Sequence, residues 1–346
     1  MGRFTAEEVG LAARNRGMPL EALRYDVTPA GLHYLLVHFD IPVAEESAWR
    51  LELHGLFNKR TSLALDDIRR LPAKTLCVTM ECAGNGRAQM SPRYPSVPWI
   101  EEGVSTAEWT GVALADLLPT LRAEATEIVF HGADRGVDGG VEHHFARSLS
   151  RQEALREDVI VAYAMNGAPL PPQHGAPLRL VVPGWYGMAS VKWLRSIEAV
   201  DRPFDGLQQV RSYHFRRAAG EKGEPCTLMR VNSLMVPPGM PDFYSRRRIV
   251  PAGRTEIIGR AWSGEAAIKA VEFAVDGRWK FVDVVSQRHS LSWAFWRVAW
   301  DAEPGTHELA CRAADEAGNV QPLEPPWDVT GFGNNGVQRI QVTVAP

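Results

Sequence analysis

The stretch Thr79-Met80-Glu81-Cys82-Ala83-Gly84-Asn85-Gly86-Arg87 brings a thiol, an amide and a guanidinium together. Residues 75–80 read as a strand, so Cys82 falls where a strand hands over to a loop. Ala83, Gly84 and Gly86 keep that loop slim enough for a ligand to approach its backbone. A thiolate is the softest ligand a protein owns, and a nearby guanidinium such as Arg87 favours the ionised form. A cysteine so placed can bind a metal or attack an electrophile. The plain alternative is a small buried hydrophobe, the usual fate of a lone cysteine at a strand end.

A second block is His174-Gly175-Ala176-Pro177-Leu178-Arg179, followed by Val182-Pro183-Gly184-Trp185-Tyr186-Gly187-Met188-Ala189-Ser190-Val191-Lys192-Trp193. Glycine and proline fix its loops. Histidine, arginine, serine and lysine supply the donors that a phosphate or a pterin needs. Without a ligand, the same block is a strand, a turn and a strand bearing exposed basic residues. Other candidates are weaker. His131, His143, His144 and His174 contain no H-x-x-x-H pair, and His143 and His144 point opposite ways in a strand. No G-x-S-x-G elbow is present. Gly331-Phe332-Gly333-Asn334-Asn335-Gly336 fits G-x-G-x-x-G, but a strand rather than a helix follows it, so it reads as a loop and not a dinucleotide site.

The elements that must position these residues fall into two textures. Residues 1–30 form an arm. Strands are expected at 49–55, 75–80, 126–131, 159–164 and 177–182. They interleave with short helices after Thr61-Ser62, over 112–118 and after Ser148 or Ser150. Gly132 to Gly136 reads as a turn, and 88–103 as a proline-rigid loop ending near Trp99. Glycine and proline crowd between 204 and 241, which puts a boundary near 216–230. Beyond it, strands at 255–263, 268–275, 279–285, 294–300, 306–313 and 338–344 indicate a β-sandwich, with an Asp276-Gly277 hairpin turn. The fold class is therefore α+β: a mixed domain, 1–216, followed by an all-β sandwich, 217–346.

Composition excludes some partners. A formal charge of −3 argues against nucleic acid or an anionic membrane as the main partner, so any anion site must be a local arginine cluster. No apolar run approaches 18 residues. The N-terminus shows no apolar signal core and no twin arginine, so a cytoplasmic chain is expected, or a periplasmic one had a leader been removed. The cysteines at 77, 82, 226 and 311 form no C-x-x-C pair and no haem-attachment motif.

Cys-Ala-Gly-Asn with Arg87, the His-Gly-x-Pro-Leu-Arg run, Gly-x-x-Ser-Val-Lys-Trp and Asn166-Gly167-Ala168-Pro169-Leu170-Pro171 together resemble the sulfite oxidase family of molybdenum enzymes. The resemblance covers nearly the whole chain. It implies a molybdenum-cofactor domain followed by an immunoglobulin-like dimerisation domain, hence a homodimer. Cys82 matches the one protein ligand to molybdenum. Arg87 matches an arginine at the substrate anion, and Trp99 a pocket tryptophan. Asp134, His174, Arg179, Ser190, Val191 and Lys192 match contacts to molybdopterin, and His38 matches the histidine of an Arg-Asn-His stretch near the metal. Tyr213 falls at the spacing of the active-site tyrosine.

Two positions depart from the family. Leu36 stands where an arginine usually precedes the histidine by two, and Thr330 where sulfite-oxidising members tend to carry another. Losing one charge-assisted hydrogen bond costs about 1.5–3 kcal/mol. Sulfite then relies on Arg87, with Lys192 or Arg93 as further cations. The expected activity is oxidation of sulfite to sulfate by oxygen-atom transfer. With no haem motif, electrons pass to an external acceptor, a cytochrome or oxygen. The alternative is the reverse chemistry on a neutral S- or N-oxide. A non-catalytic anion-binding partner protein is the reading from another class.

Overall fold

The computed structural model describes residues 4–346. The first part of the chain builds two sheets. One has the order Thr61–Ala64, Arg50–Gly55, Leu194–Val200, Glu127–Asp138, Val141–Ser150. In the other, Val104–Ala113 lies between Ala73–Glu81 and Ile160–Met165, and Ile160–Met165 also pairs with Arg179–Val181 and Ala168–Pro169. Helices are short; Ala6–Arg14 begins with a capping box between Thr5 and Glu8.

Three local expectations are corrected. Thr61–Ala64 is a strand, and the helix, Leu65–Arg69, starts after it, with the Asp67 side chain accepting the Ala64 amide. The segment before Leu114 is the strand Val104–Ala113, paired on both edges and buried on both faces. It therefore lacks the alternation that reveals a half-exposed strand. Gly132 to Gly136 is no turn: the strand Glu127–Asp138 runs through it, with a register shift against its partner between His131 and Arg135. Such irregularities re-aim side chains, and Asp134 sits in this one.

The second part is a β-sandwich. One layer pairs Asn232–Met235, Gly253–Trp262, Ala294–Ala302 and Arg278–Gln287. Arg278–Gln287 also pairs with Ile268–Val275, which leads into Gly305–Asp315, Gln338–Ala345 and Arg248–Pro251 in the other. Asp276 and Gly277 turn the hairpin at φ 48° and 75°, left-handed values that suit a two-residue loop. Trp296 and Trp300 pack in the sandwich core. Trp293 is also buried, and its indole donates to the Asp26 carbonyl of the arm at 2.8 Å. These tryptophans hold the fold together and offer no outward face.

The sandwich covers the end of the cysteine strand. Thr79 donates its amide to Leu291 at 3.1 Å and accepts the Trp293 amide at 2.7 Å. Residues 78–81 are all buried as a result.

Candidate active site

Cys82 is the first residue after the strand Ala73–Glu81, and the loop behind it is held from both domains. Its amide bonds the Gly103 carbonyl at 2.8 Å, and its carbonyl accepts the Asn85 amide at 2.9 Å. Asn85 bridges Glu81 (3.0 Å) and the Gly103 amide (2.9 Å). The second domain adds three bonds. Gly333 donates to Ala83 (2.8 Å), Asn334 to Gly86 (2.8 Å), and Arg87 Nε donates to the Thr330 carbonyl (3.0 Å). Glu81 lies beneath, accepting from Trp262 at 3.0 Å and Asn232 at 3.3 Å. The four cysteines are free thiols.

Two cavities meet at Cys82. The cleft on one side is lined by His33, Tyr34, Asp134, His174, Arg179, Ser190 and Lys192. Arg179 is buried over the Trp109 ring and spends its donors on the carbonyls of His174 (3.0 Å) and Ser190 (3.2 Å). Lys192 reaches the carbonyls of Leu36 (2.8 Å) and Gln173 (3.2 Å). Among the described residues neither forms an ion pair with a carboxylate. Burial drops the Lys192 pKa to about 7, with Arg179 adding to the drop and Asp134 opposing it. Burial likewise lowers Arg179 to about 10. His33, stacked edge-on against His174 at 5.1 Å, is lowered to about 4, so both imidazoles are neutral near pH 7. His33 Nε2 and Asp134 Oδ1 are buried without a hydrogen-bond partner.

The cavity on the other side is a wider funnel of about 470 Å³. Arg87, Trp99, Tyr213 and His38 border it. Arg87 is buried, folds back over Gly84, and among the described residues pairs with no carboxylate; its guanidinium carbon lies 5.1 Å from the Phe332 ring centroid. Phe332 stacks on Tyr213 at 5.2 Å, and Arg147 covers that ring at 5.6 Å. Tyr213 takes a left-handed backbone, φ 57°, a strain of the kind held at functional sites. Its hydroxyl sits 2.5 Å from His38 Nε2. The His38 ring faces the open cleft although protein surrounds it, and desolvation with nearby Lys192 keeps it neutral. The Tyr213 phenol, pushed up by burial, stays protonated, so the O–H donates to Nε2.

Around Cys82 itself the electrostatics run against one expectation. Arg87 does favour the thiolate, and the Trp99 indole adds to that, but burial outweighs both and raises the thiol pKa of the cofactor-free chain. A metal must displace that proton. Among the described residues no three His, Cys, Asp or Glu side chains converge. One buried sulfur therefore suits a metal whose other ligands arrive with an organic cofactor. The uncompensated cations and orphaned polar atoms of the cleft suit the anionic, hydrogen-bonding body of such a cofactor.

Residues 38–208 match the oxidoreductase molybdopterin binding domain, and 225–345 the Mo-co oxidoreductase dimerisation domain. The sulfite oxidase of Gallus gallus is 31% identical over 332 residues, covering 88% of this chain and 70% of that protein. The chain belongs to the sulfite oxidase family. A nitrate reductase [NADH] of Lotus japonicus is 31% identical over 95% of the chain, and the mitochondrial sulfite oxidase of Homo sapiens 30% over 92%. The chain spans 40% and 62% of those two relatives. The crystal structure of the sulfane dehydrogenase SoxCD from Paracoccus pantotrophus superposes with a TM-score of 0.83. It covers 100% of this chain and 93% of that one at 24% identity, a likeness of fold. The chain is thus a molybdenum-dependent oxidoreductase of the sulfite oxidase family, with an α+β cofactor domain and a β-sandwich dimerisation domain.

Asp134, His174, Arg179, Ser190 and Lys192 line the cofactor side, Arg87 and Trp99 the funnel, and Cys82, His38 and Tyr213 border both. Val191 lines neither: its side chain is buried in the core and its carbonyl accepts the Leu180 amide at 2.8 Å. Arg93 is ion-paired to Glu8 and packed on Phe4, away from the funnel wall. Sequence reasoning missed Glu81, Arg147 and Phe332. Phe332 lay in the rejected glycine-rich loop, whose Asn334 side chain clamps the cysteine loop.

Proposed function

We propose that the chain oxidises a sulfur oxyanion of the sulfite type, taking one oxygen atom from water and passing two electrons to an external acceptor. The observation that carries this reading is the pair of buried guanidiniums beside Cys82 that form no ion pair with a carboxylate among the described residues: Arg179 on the cofactor side, with half-buried Lys192 next to it, and Arg87 on the substrate side. Buried charge is costly unless paired, so these groups await anions.

Cys82 would bind molybdenum through sulfur. Arg179, Lys192 and Ser190 would hold the pterin and its phosphate, with neutral His33 and His174 as further hydrogen-bonding partners. When bound, the molybdenum dithiolene supplies oxygen-atom transfer coupled to two-electron acceptance. The chain's own residues do the rest. Arg87 draws the anion in and orients its oxygens. Trp99 and the sandwich loop that carries Phe332 keep bulk water away, which strengthens the Arg87 contact. Tyr213, whose O–H donates to His38, turns its phenol oxygen toward the reacting centre as an acceptor and would relay released protons on to His38. The overall balance is sulfite plus water giving sulfate, two protons and two electrons.

Reduction of a neutral S- or N-oxide is the second reading, favoured by Leu36 and Thr330. It leaves the buried Arg87 charge unmatched. Protein made in a host that synthesises molybdopterin tests both: the expected result is molybdenum near one equivalent per chain and sulfite-dependent reduction of ferricyanide or a cytochrome. Sulfoxide reduction without sulfite oxidation would reverse the order. We also propose a homodimer through the second domain, supported by its dimerisation-domain match and by the exposed Phe243, Tyr244 and Phe281. A single-chain mass in light scattering at micromolar concentration would remove it.

A further inference from the structure

The funnel is larger than a bare oxyanion needs. Its volume of about 470 Å³ lies in the range of about 300–1,000 Å³ that takes whole organic ligands. Leu36, Val97, Trp99 and Phe332 face it next to Arg87, the buried guanidinium on its wall. Arg211, exposed, and Arg216, half-buried, also border it, as does Asp138; the two guanidiniums attract, and the carboxylate repels, any anion alike.

Arg87 has donors to spare on one side alone. Its Nε is tied to Thr330, and Nη1 makes a long bond of 3.4 Å to Val97. The stack behind it is fixed. Gly331, at φ 74°, leaves room for Arg87, since a Cβ there would lie 2.5 Å from Arg87 Cγ. Asp328 accepts the amides of Thr330 (2.9 Å) and Phe332 (3.0 Å), locking the loop that carries the ring. The funnel wall therefore offers the part of a fixed Phe332 ring that Tyr213 and Arg87 leave uncovered, and the aliphatic Leu36 side chain. A single guanidinium matches a single negative charge and two oxygens, and the apolar wall matches a carbon substituent.

We infer that the preferred substrate is an organic sulfinate, R–SO2⁻, with an apolar R group lying against Phe332 and Leu36. The inference rests on the oxidoreductase reading of the site. The sulfinate sulfur keeps the lone pair that accepts oxygen. One S–O bond forms, both O–H bonds of a water break, and the product is R–SO3⁻. Two protons go to solvent and two electrons to two equivalents of a one-electron acceptor such as ferricyanide. Arg87 holds the two oxygens, and each methylene of R buried on the wall adds roughly four-fold to binding.

The test compares sulfite with methane-, propane- and benzenesulfinate on one molybdenum-loaded preparation, with ferricyanide as acceptor and the sulfonate identified by mass spectrometry. The expected result is kcat/KM rising along the three sulfinates and exceeding that for sulfite at least ten-fold for benzenesulfinate. Phe332→Ala should cut the benzene-to-methane ratio several-fold, and Leu36→Arg should shift the preference toward sulfite. Calorimetry gives a readout independent of turnover: benzenesulfonate should bind at least ten-fold more tightly than sulfate, with a negative heat-capacity change. Sulfite turnover at or above that of every sulfinate overturns the inference and leaves the oxidoreductase reading standing. Equal binding of benzenesulfonate and sulfate overturns it too. A loaded sample inert toward sulfite and sulfinates alike removes the parent reading.

Discussion

On the cofactor side of Cys82, Arg179 and Lys192, the latter only part-protonated near pH 7, form no ion pair with a carboxylate among the described residues, and their nearest partners are carbonyls and aromatic faces. On the funnel side, Arg87 shares its wall with Leu36, Val97 and Phe332. The first wall takes both its basic side chains from one run of sequence, 174–192, with His33, Tyr34 and Asp134 added from elsewhere. The second is gathered from residues as distant as His38, Arg87, Tyr213 and Phe332. The contrast teaches where each kind of specificity is kept. A cofactor of fixed chemistry is met by a contiguous cationic block, whereas substrate choice lies at the domain junction, where a change in one loop alters the wall without touching the cradle.

Four experiments test that contrast. Cys82→Ser acts on both sides and should have the largest effect, lowering turnover by more than about 10³-fold, over 4 kcal/mol of barrier. Steady-state rates per bound molybdenum measure it, and unchanged rates would defeat the metal-ligand assignment. Arg179→Met acts on the cradle alone. Cofactor content should fall, while the cofactor-free chain gains stability, the cost of a buried unpaired charge exceeding the two carbonyl bonds lost with it. Denaturant unfolding of the cofactor-free protein checks the sign; a loss of stability would show that the cation is already satisfied.

His33 gives the pH dependence of the cradle. Its folded pKa is about 4 against 6.5 for the free side chain, through burial and the neighbouring Arg179 and Lys192. Between those values the unfolded chain binds more protons, so stability is complete above about 6.5 and declines as pH falls toward 4. The loss amounts to about 3 kcal/mol. His33→Phe should make this limb shallower in a series of melting temperatures against pH, with His174 and His38 supplying what remains. The smallest effect belongs to the funnel. Gly84→Ala places a Cβ 2.5 Å from the Arg87 guanidinium, so that side chain must shift. KM should rise about ten-fold, near 1.4 kcal/mol, with molybdenum content unchanged. A fall in content instead would mean that the two sides are not separable.

Local sequence patterns were enough to read the two-part α+β and β-sandwich organisation, the cysteine at a strand end, and the cationic block of 174–192. Each is written in neighbouring residues: alternating strands, an Asp-Gly turn, donors spaced by glycine and proline. The strand Val104–Ala113 escaped, because burial on both faces erases the periodicity that marks a strand. The strand through Gly132 to Gly136 escaped because its glycines serve a register shift that aims Asp134 inward. Tertiary structure alone decided the rest. It brought Phe332 onto Tyr213, tied Glu81 to Trp262 across 181 positions, and buried Cys82 so deeply that desolvation overrides the neighbouring guanidinium. Desolvation and long-range contact depend on what folds over a residue, which no local pattern encodes.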